Sequence, residues 1–160
     1  MEDFNGKRVS YTYTQTDDAP PDKLFPLLCP VRETDWLPGW KYRMIYSESG
    51  VAEDGCIFAT PGESGAERVW MVTHYDSASY TITYAWVEPG VLACQLRISL
   101  DPASGNKTSL RTTYIYTALS PAGNAALANY TPEWFQHRME KWEKSLNHYL
   151  RTGKLLQEVA

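Results

Sequence analysis

Hydrophobic and polar residues alternate with a period of two along most of the chain, a pattern that predicts β-strands with one buried face. In residues 91–100 every second residue is apolar: Leu92, Cys94, Leu96, Ile98 and Leu100. Arg97 and Arg111 take the polar register of adjacent strands and are expected to face outward. Similar alternation predicts seven strands, at 7–16, 40–47, 56–60, 67–75, 80–87, 91–100 and 107–119. Short turn-forming segments join the last six strands, so we predict an antiparallel meander.

Towards the C-terminus the period becomes helical. Thr131 is suited to cap a helix, Pro132 to its first position and Gly153 to its end, so a long helix is predicted over about 132–152. One stripe of this helix is apolar: Phe135, Met139, Trp142, Leu146, Tyr149 and Leu150. The opposite face is polar and is expected to be exposed: His137, Lys141 and His148. Two short helices, at 23–29 and 31–36, are predicted between the first two strands.

These elements predict one α+β domain over residues 1–160, with the long helix across the concave face of a seven-stranded curved sheet. A straight helix and a curved sheet do not meet along their whole length, so a cavity forms between them unless large side chains fill it. We expect Leu146, Tyr149 and Leu150 to pack on the short helices, and Phe135, Met139 and Trp142 to roof the cavity. The chain contains 6 Trp, 11 Tyr and 4 Phe, and the pattern leaves open whether these rings fill the space or line it.

Charge and composition narrow the range of partners. The net charge is −4 and no segment concentrates Lys or Arg, which argues against a nucleic-acid partner. No apolar run is long enough to span a membrane and the chain does not start with a signal-like segment, so a cytoplasmic location is expected. The 3 cysteines are widely spaced, which favours neither a disulfide framework nor a zinc site. Nucleotide-binding and hydrolase motifs are missing from the sequence, so no cofactor is predicted.

The order of elements and four segments resemble the helix-grip proteins of the SRPBCC superfamily. The segments are Pro20 to Phe25, Asp35 to Trp40, Trp70 to Asp76, and Glu133 to Leu150. This superfamily includes START lipid-transfer domains, pollen-allergen-like proteins and aromatic polyketide cyclases. The resemblance covers nearly the whole chain and implies an internal cavity for an apolar or amphipathic small molecule. Because these proteins share a cavity and not a reaction, it does not identify the ligand.

The resemblance also places the mouth of the cavity at the N-terminal half of the long helix, near Trp134, and beside the loops at 61–66 and Pro89. Together with the inward register of the central strands, it predicts a set of ligand-contacting residues. They are Trp36, Trp40, Tyr84, Trp86, Tyr114, Tyr116, Phe135, Arg138, Met139 and Trp142. Whether the central-strand rings contact a ligand or only fill space is left open.

Candidate catalytic residues are fewer. A histidine or tyrosine facing the cavity could transfer protons, which makes His74 and Tyr84 the candidates. The alternation in 67–75 does not decide whether Trp70, Val72 and His74 or the opposite face points inward. His74 is therefore interpreted either as a cavity residue or, more simply, as a surface histidine.

A dense group of charges follows the first short helix, at Arg32, Glu33 and Asp35. It could orient the polar end of a ligand. The simpler interpretation is a local ion pair and helix cap, because clustered surface charges are usually solvated.

Three functions are open at this stage. The first is binding, transport or sensing of a lipid, isoprenoid or polyketide-like molecule. The second is a cyclase or dehydratase acting on a polyketide-like substrate, with proton transfer by His74 or Tyr84. The third is a protein–protein adaptor of the chaperone-activator type, which would show a large exposed apolar patch instead of a cavity. A homodimer is compatible with each of them.

Overall fold

The computed structural model describes residues 3–157, which form a seven-stranded antiparallel sheet and a set of helices on one of its faces. The strands lie side by side in the order β1-β7-β6-β5-β4-β3-β2. Their bounds are β1 Arg8–Asp17, β2 Arg43–Tyr46, β3 Ile57–Pro61, β4 Glu67–Asp76, β5 Thr81–Glu88, β6 Leu92–Ala103 and β7 Lys107–Ala118. The α-helices are α1 Pro21–Leu24, α2 Pro30–Trp36, α3 Pro121–Leu127 and α4 Pro132–Thr152, with a 3-10 turn at Phe25–Leu27. The predicted α+β class, meander and long helix are confirmed.

Helix α4 begins and ends where the sequence predicts. Its N-cap Thr131 accepts a hydrogen bond from the backbone N–H of Trp134 at 3.1 Å. Its C-cap Gly153 has a φ of 69°, a conformation that glycine adopts without strain. Among residues 3–157, no helix is both long and apolar enough to cross a membrane.

Helix α3 is an element that the strand and helix periods did not predict. Ser120 caps it by accepting a hydrogen bond from the N–H of Gly123 at 3.2 Å, and Pro121 occupies its first turn. A Cβ at Gly123 would lie 2.0 Å from the carbonyl oxygen of Val91, so only glycine allows this approach. The Ser-Pro pair is a helix-start signal, but a helix this short lacks a periodic apolar stripe.

The main core lies between the short helices, the C-terminal half of α4 and the concave face of the sheet. Leu24, Trp36, Ile82, Leu110 and Leu146 have no exposed surface. Tyr149 and Leu150 pack against the same cluster, so this part of α4 holds the short helices in place as expected. Each fully buried leucine or isoleucine contributes about 2 kcal/mol to folding.

A β-bulge in β4 decides which face of that strand points inward. Its register against β5 shifts between Val72 and His74. Trp70 and Val72 point to the core before the bulge, and Tyr75 packs there after it. His74 is thereby exposed, with its Nε2 3.3 Å from the hydroxyl of Thr81. His74 is not a cavity residue, because the extra residue of a bulge re-aims the side chains that follow it.

Candidate functional site

A cavity of about 510 Å³ lies between the sheet, α2 and α4. Side chains of β3 to β7 form its floor: Phe58, Trp70, Tyr84, Leu96, Ile98, Thr112 and Tyr114. Helix α2 and the segment after it form one wall: Pro30, Glu33, Leu37, Pro38, Gly39 and Trp40. Helix α4 forms the roof and the rim: Trp134, His137, Arg138, Met139, Lys141, Trp142 and Ser145. The space predicted between a straight helix and a curved sheet is therefore present.

The pairing register of the strands explains which side chains form the floor of the cavity. Tyr84 on β5 pairs with Leu96 on β6, which pairs with Tyr114 on β7, so the three side chains cross the sheet in one row. Phe58 stacks on Trp70 with ring centroids 5.2 Å apart and meets Tyr84 edge to face at 6.1 Å. These contacts hold the rings in place, so the aromatic walls of the cavity are largely formed before a ligand binds.

The cavity reaches the surface beside α4, where basic side chains surround its opening. Arg138, Lys141 and His137 line the cavity and are also exposed. His137 and Lys141 are exposed as expected, and their side chains also reach the rim of the cavity. No acidic side chain joins them in the lining apart from Glu33 on the opposite wall. The opening therefore favours the approach of an anionic group.

The three charged residues of α2 do not share one role: two form the local ion pair, and the third lies at the cavity. Arg32 and Asp35 form a local ion pair at 3.0 Å, with both side chains partly exposed. Glu33 instead lines the cavity, and its side-chain carboxyl has no hydrogen bond or ion pair within residues 3–157. Burial raises the pKa of the Glu33 carboxyl to about 8, because an apolar surrounding disfavours its charged form. The protonated form of Glu33 is therefore favoured up to a higher pH than that of an ordinary carboxyl.

Two tyrosine hydroxyls share the cavity with Glu33. The hydroxyl of Tyr84 donates a hydrogen bond to the carbonyl oxygen of Leu28 at 3.0 Å. Burial raises the pKa of Tyr84 well above its ordinary value, and the nearby Glu33 adds to the rise. Burial also raises the pKa of Tyr114 to about 12, partly offset by Arg138. Both phenols therefore stay protonated near neutral pH and are suited to hydrogen bonding.

Thr112 adds an unpaired polar atom. Its Oγ1 is buried and lacks a hydrogen-bond partner among the described residues, while the residue lines the cavity floor. A buried hydroxyl without a partner costs free energy. A ligand atom in the cavity would supply that partner.

Six of the ten predicted contact residues line the cavity: Trp40, Tyr84, Tyr114, Arg138, Met139 and Trp142. The four others do not, which corrects their placement. Trp36 is fully buried in the core, where its indole N–H donates to the carbonyl oxygen of Leu27 at 2.9 Å. Phe135 stacks on Tyr11 at 5.0 Å and closes that side of the roof.

Trp86 and Tyr116 belong to a second apolar cluster, under the start of α4. Tyr116 meets Tyr130 edge to face at 4.9 Å, and Tyr130 stacks on Trp134 at 4.3 Å. The void that Trp86 and Tyr116 border measures about 20 Å³, enough for about one water molecule. Large rings therefore fill the space at this end of the helix.

Sequence reasoning missed four floor residues: Phe58, Leu96, Ile98 and Thr112. Their inward register was readable from the alternation, but an inward side chain looks the same whether it packs or lines a cavity. Trp70 was recognised as inward in only one of two registers. The loop at 61–66 and the turn at Pro89 do not line the cavity either.

These two loops instead adjoin a buried ion pair. Arg68 Nε lies 2.8 Å from Glu88 Oε1, and both side chains are largely buried. The backbone N–H of Ser64 donates to the same carboxylate at 3.0 Å. Burial raises the pKa of Glu88, but the hydrogen bonds from Ser64 and Arg68 outweigh it and the net pKa is lowered. Glu88 is therefore charged, and this group serves the fold.

Comparison with known proteins adds fold neighbours. No protein-family model and no curated protein sequence matches the chain. The solved structure of norcoclaurine synthase from Thalictrum flavum, in complex with dopamine and hydroxybenzaldehyde, is similar with a TM-score of 0.67 and 14% identity over 94% of this chain and 90% of that one. Ara h 8.0201 is similar with a TM-score of 0.63 and 16% identity over 91% and 99%.

DynU16, a protein of the dynemicin biosynthetic locus, matches with a TM-score of 0.59 and 20% identity over 94% of this chain and 52% of its own. Likeness at such low identity reports the fold and not a shared reaction. Together with the sheet order, the two short helices and the roofing helix, it identifies this chain as having the helix-grip fold.

Proposed function

We propose that the protein encloses an apolar or amphipathic small molecule in this cavity and acts as its carrier or sensor. The observation that carries the proposal is the cavity of about 510 Å³ with aromatic walls and an opening beside α4. Its volume lies within the range of small-molecule sites, which are mostly apolar with a few placed polar groups. Glu33, Thr112 and Arg138 are such polar groups here.

The walls favour a flat, ring-containing ligand. Trp40, Phe58, Trp70 and Tyr114 present rings from several directions, and offset or edge-to-face contacts add about 1 kcal/mol per pair. The structure of norcoclaurine synthase, which shares the fold, was determined with two aromatic compounds. This supports an aromatic ligand in a fold of this type without naming the one used here.

A pair of substitutions on one strand tests the proposal. Ile98 lines the cavity and its neighbour Arg97 faces outward on the opposite side of β6. Ile98→Phe should place a ring in the cavity and weaken binding of anilinonaphthalene sulfonate about tenfold or more, because overfilling excludes the probe. Arg97→Phe adds the same ring outside the cavity and should leave binding within about twofold.

The measurement is a fluorescence titration, accompanied by native mass spectrometry of protein purified from its own host. Equal affinity in wild type and Ile98→Phe, with both folded, would show that the probe binds elsewhere. If in addition no small molecule accompanied the purified protein, the proposed function would fail.

The two other functions have less support. The cyclase or dehydratase alternative assigned proton transfer to His74 or Tyr84, but His74 lies outside the cavity and the Tyr84 hydroxyl proton is donated to a backbone carbonyl. The adaptor alternative expected an apolar patch instead of a cavity. Val69, Met71 and Val87 are exposed together on β4 and β5, yet the cavity is also present. We therefore retain small-molecule binding as the principal proposal.

A further inference from the structure

The polar groups of the cavity are arranged from its inner wall to its rim. Glu33 and Thr112 lie at the wall and the floor without partners among residues 3–157. Arg138 and Lys141 lie at the exposed rim. Aromatic and aliphatic side chains form most of the remaining lining. A bound molecule would therefore meet an uncharged polar end, an apolar middle and a cationic entrance.

We propose that Glu33 is the recognition group at the inner end of the cavity, where its carboxyl donates a hydrogen bond to the carbonyl oxygen of a ligand. The other end of this ligand is an anion, which Arg138 and Lys141 hold at the rim. The ligand class is an aromatic or similarly apolar keto acid. This inference rests on the proposed binding function and specifies its ligand chemistry.

The protonation of Glu33 follows from its surroundings. The charged and titratable groups that line the same cavity are His137, Arg138 and Lys141 on α4, Tyr84 on β5 and Tyr114 on β7. Burial alone accounts for the raised pKa of Glu33, without a compensating contribution from the rim cations. Glu33 is half-buried, and its carboxyl offers the cavity an O–H donor that has no acceptor among residues 3–157.

Two hydroxyls near Glu33 determine how many hydrogen-bond donors the site offers to a ligand. The Tyr84 proton is already donated to Leu28, while the Thr112 hydroxyl is free within the described residues. A carbonyl oxygen has two lone pairs and can accept from both Glu33 and Thr112. An ammonium group could also pair with Glu33, but it would have to pass the cations at the rim, which repel it. A carbonyl compound bearing an anion is the chemistry that fits both ends.

A matched pair of probes tests the inner end. Para-benzoylbenzoate has a ketone between its rings, and para-benzylbenzoate has a methylene in its place. Because both carry the same carboxylate, the ratio of their dissociation constants isolates the ketone. In wild type we expect the ketone to bind about tenfold tighter at about pH 6.5, and the preference to disappear by about pH 9.5 as Glu33 ionises through its pKa of about 8.

Two variants separate hydrogen bonding from charge. Glu33→Gln keeps a donor that cannot ionise, so the ketone preference should persist without pH dependence. Glu33→Leu should lower the ratio to about threefold or less, the part that Thr112 alone supplies, and remove its pH dependence. Glu140→Gln, an exposed change on the outer face of α4, should leave the wild-type ratio and its pH dependence unchanged. Isothermal titration calorimetry gives all these constants.

The rim is tested with benzophenone, which lacks the carboxylate. Arg138→Gln should weaken para-benzoylbenzoate about fivefold and leave benzophenone unchanged, as expected for a partly exposed ion pair. Equal weakening of both compounds would overturn the assignment of the rim to an anion.

Other outcomes are equally decisive. The carbonyl assignment would be overturned if Glu33→Leu kept the full ketone preference of wild type. It would also be overturned if a para-benzylbenzylamine probe bound more tightly than the keto acid and lost affinity in Glu33→Gln. Binding of para-benzylbenzoate in either case would leave the proposed function standing. If none of the probes bound to the wild type, both the inference and the proposed function would fail.

Discussion

The aspartate Asp17 shows how burial changes the protonation of a single carboxyl. Asp17 at the end of β1 is completely buried. One of its oxygens accepts a hydrogen bond from the Gln15 amide at 2.8 Å, and Oδ2 has no partner among the described residues. Burial raises the pKa of Asp17 to about 7, reinforced by the charge of Glu143 and opposed by Gln15. The folded protein therefore holds a proton at Asp17 that the unfolded chain releases.

The sign of the pH effect follows from that difference. Between about pH 4 and 7 the folded state binds more protons than the unfolded state, so stability falls as pH rises through this window and stays reduced above it. Asp17→Asn removes the titration and should stabilise the protein by up to about 4 kcal/mol at about pH 8 relative to wild type, with little change at about pH 4. Urea unfolding at both pH values measures this difference.

Asp101→Asn is the matched control, because this aspartate is exposed on β6. It should change stability by less than about 0.5 kcal/mol at either pH. An Asp17→Asn variant that was destabilised equally at both pH values would contradict the buried, protonated state.

Neither Asp17 nor Glu33 stands out in the sequence. Asp17 follows Tyr11 and Tyr13 in the inward register of β1, so its position was readable, but whether the sheet is covered there depends on α4. Glu33 lies between Arg32 and Asp35, whose ion pair is the ordinary outcome for such a cluster. Whether Glu33 joins a surface ion pair or lines the cavity depends only on the direction in which its side chain leaves the helix.

At the scale of elements, the start of α4 governs the roof of the cavity. Thr131 caps this helix through the N–H of Trp134, and Trp134 itself lines the cavity. Thr131→Ala leaves that N–H without its side-chain partner and should cost about 1 kcal/mol. Thermal or urea unfolding measures the loss.

Thr152→Ala is the corresponding change at the other end of the same helix. The Thr152 hydroxyl donates to the carbonyl oxygen of His148 at 2.8 Å and accepts from the exposed backbone N–H of Lys154 at 3.1 Å. Water can replace the hydroxyl at that exposed N–H, so its loss should cost less than about 0.5 kcal/mol. Equal costs at the two ends would show that the Thr131 cap does not stabilise α4.

Long elements with strong signals were predictable, and one-residue irregularities were not. Capping residues at both ends and an apolar stripe mark α4, and short turns mark the meander. The bulge in β4 is invisible because Trp70, Val72 and His74 continue an unbroken alternation in the sequence. Pairing with β5 shifts the register at this point and turns His74 outward. Inward residues of a strand are therefore predictable only as far as the first bulge.

For the whole molecule, the division between filled space and cavity is set by where rings from different elements meet. At the start of α4, Tyr116, Tyr130 and Trp134 pack together and fill the interior. Towards α2, Trp36 and Trp142 meet edge to face at 5.2 Å, but the side chains beside this contact leave space, and the cavity lies there. This explains why Trp86, Tyr116 and Phe135 are packed while Tyr84, Tyr114 and Trp142 line the cavity, although all share the same apolar patterns.

The filled end depends on the buried pair of Arg68 and Glu88, which links several parts of the fold. Arg68 joins Glu88 on β5, donates to the Tyr130 hydroxyl at 3.1 Å and covers the ring of Trp86 at 4.1 Å. Arg68→Met would leave the Glu88 charge buried without its partner and should cost about 3 kcal/mol, because desolvation is then uncompensated. The double variant Arg68→Met/Glu88→Gln should recover most of that loss, since it removes the charge as well.

Arg43 and Glu67 provide the comparison that makes this prediction specific. They form an ion pair at 2.7 Å, but their side chains are 61% and 50% exposed, so Arg43→Met should leave the free energy of unfolding nearly unchanged. Urea unfolding of the three variants against wild type measures the contrast. If both single variants lost similar stability, or if the double variant recovered none, the burial of Glu88 would not be the source of the cost. The recovery specifically separates an unpaired charge from lost packing over Trp86, because Arg68→Met removes the guanidinium from that ring in the single and the double variant alike.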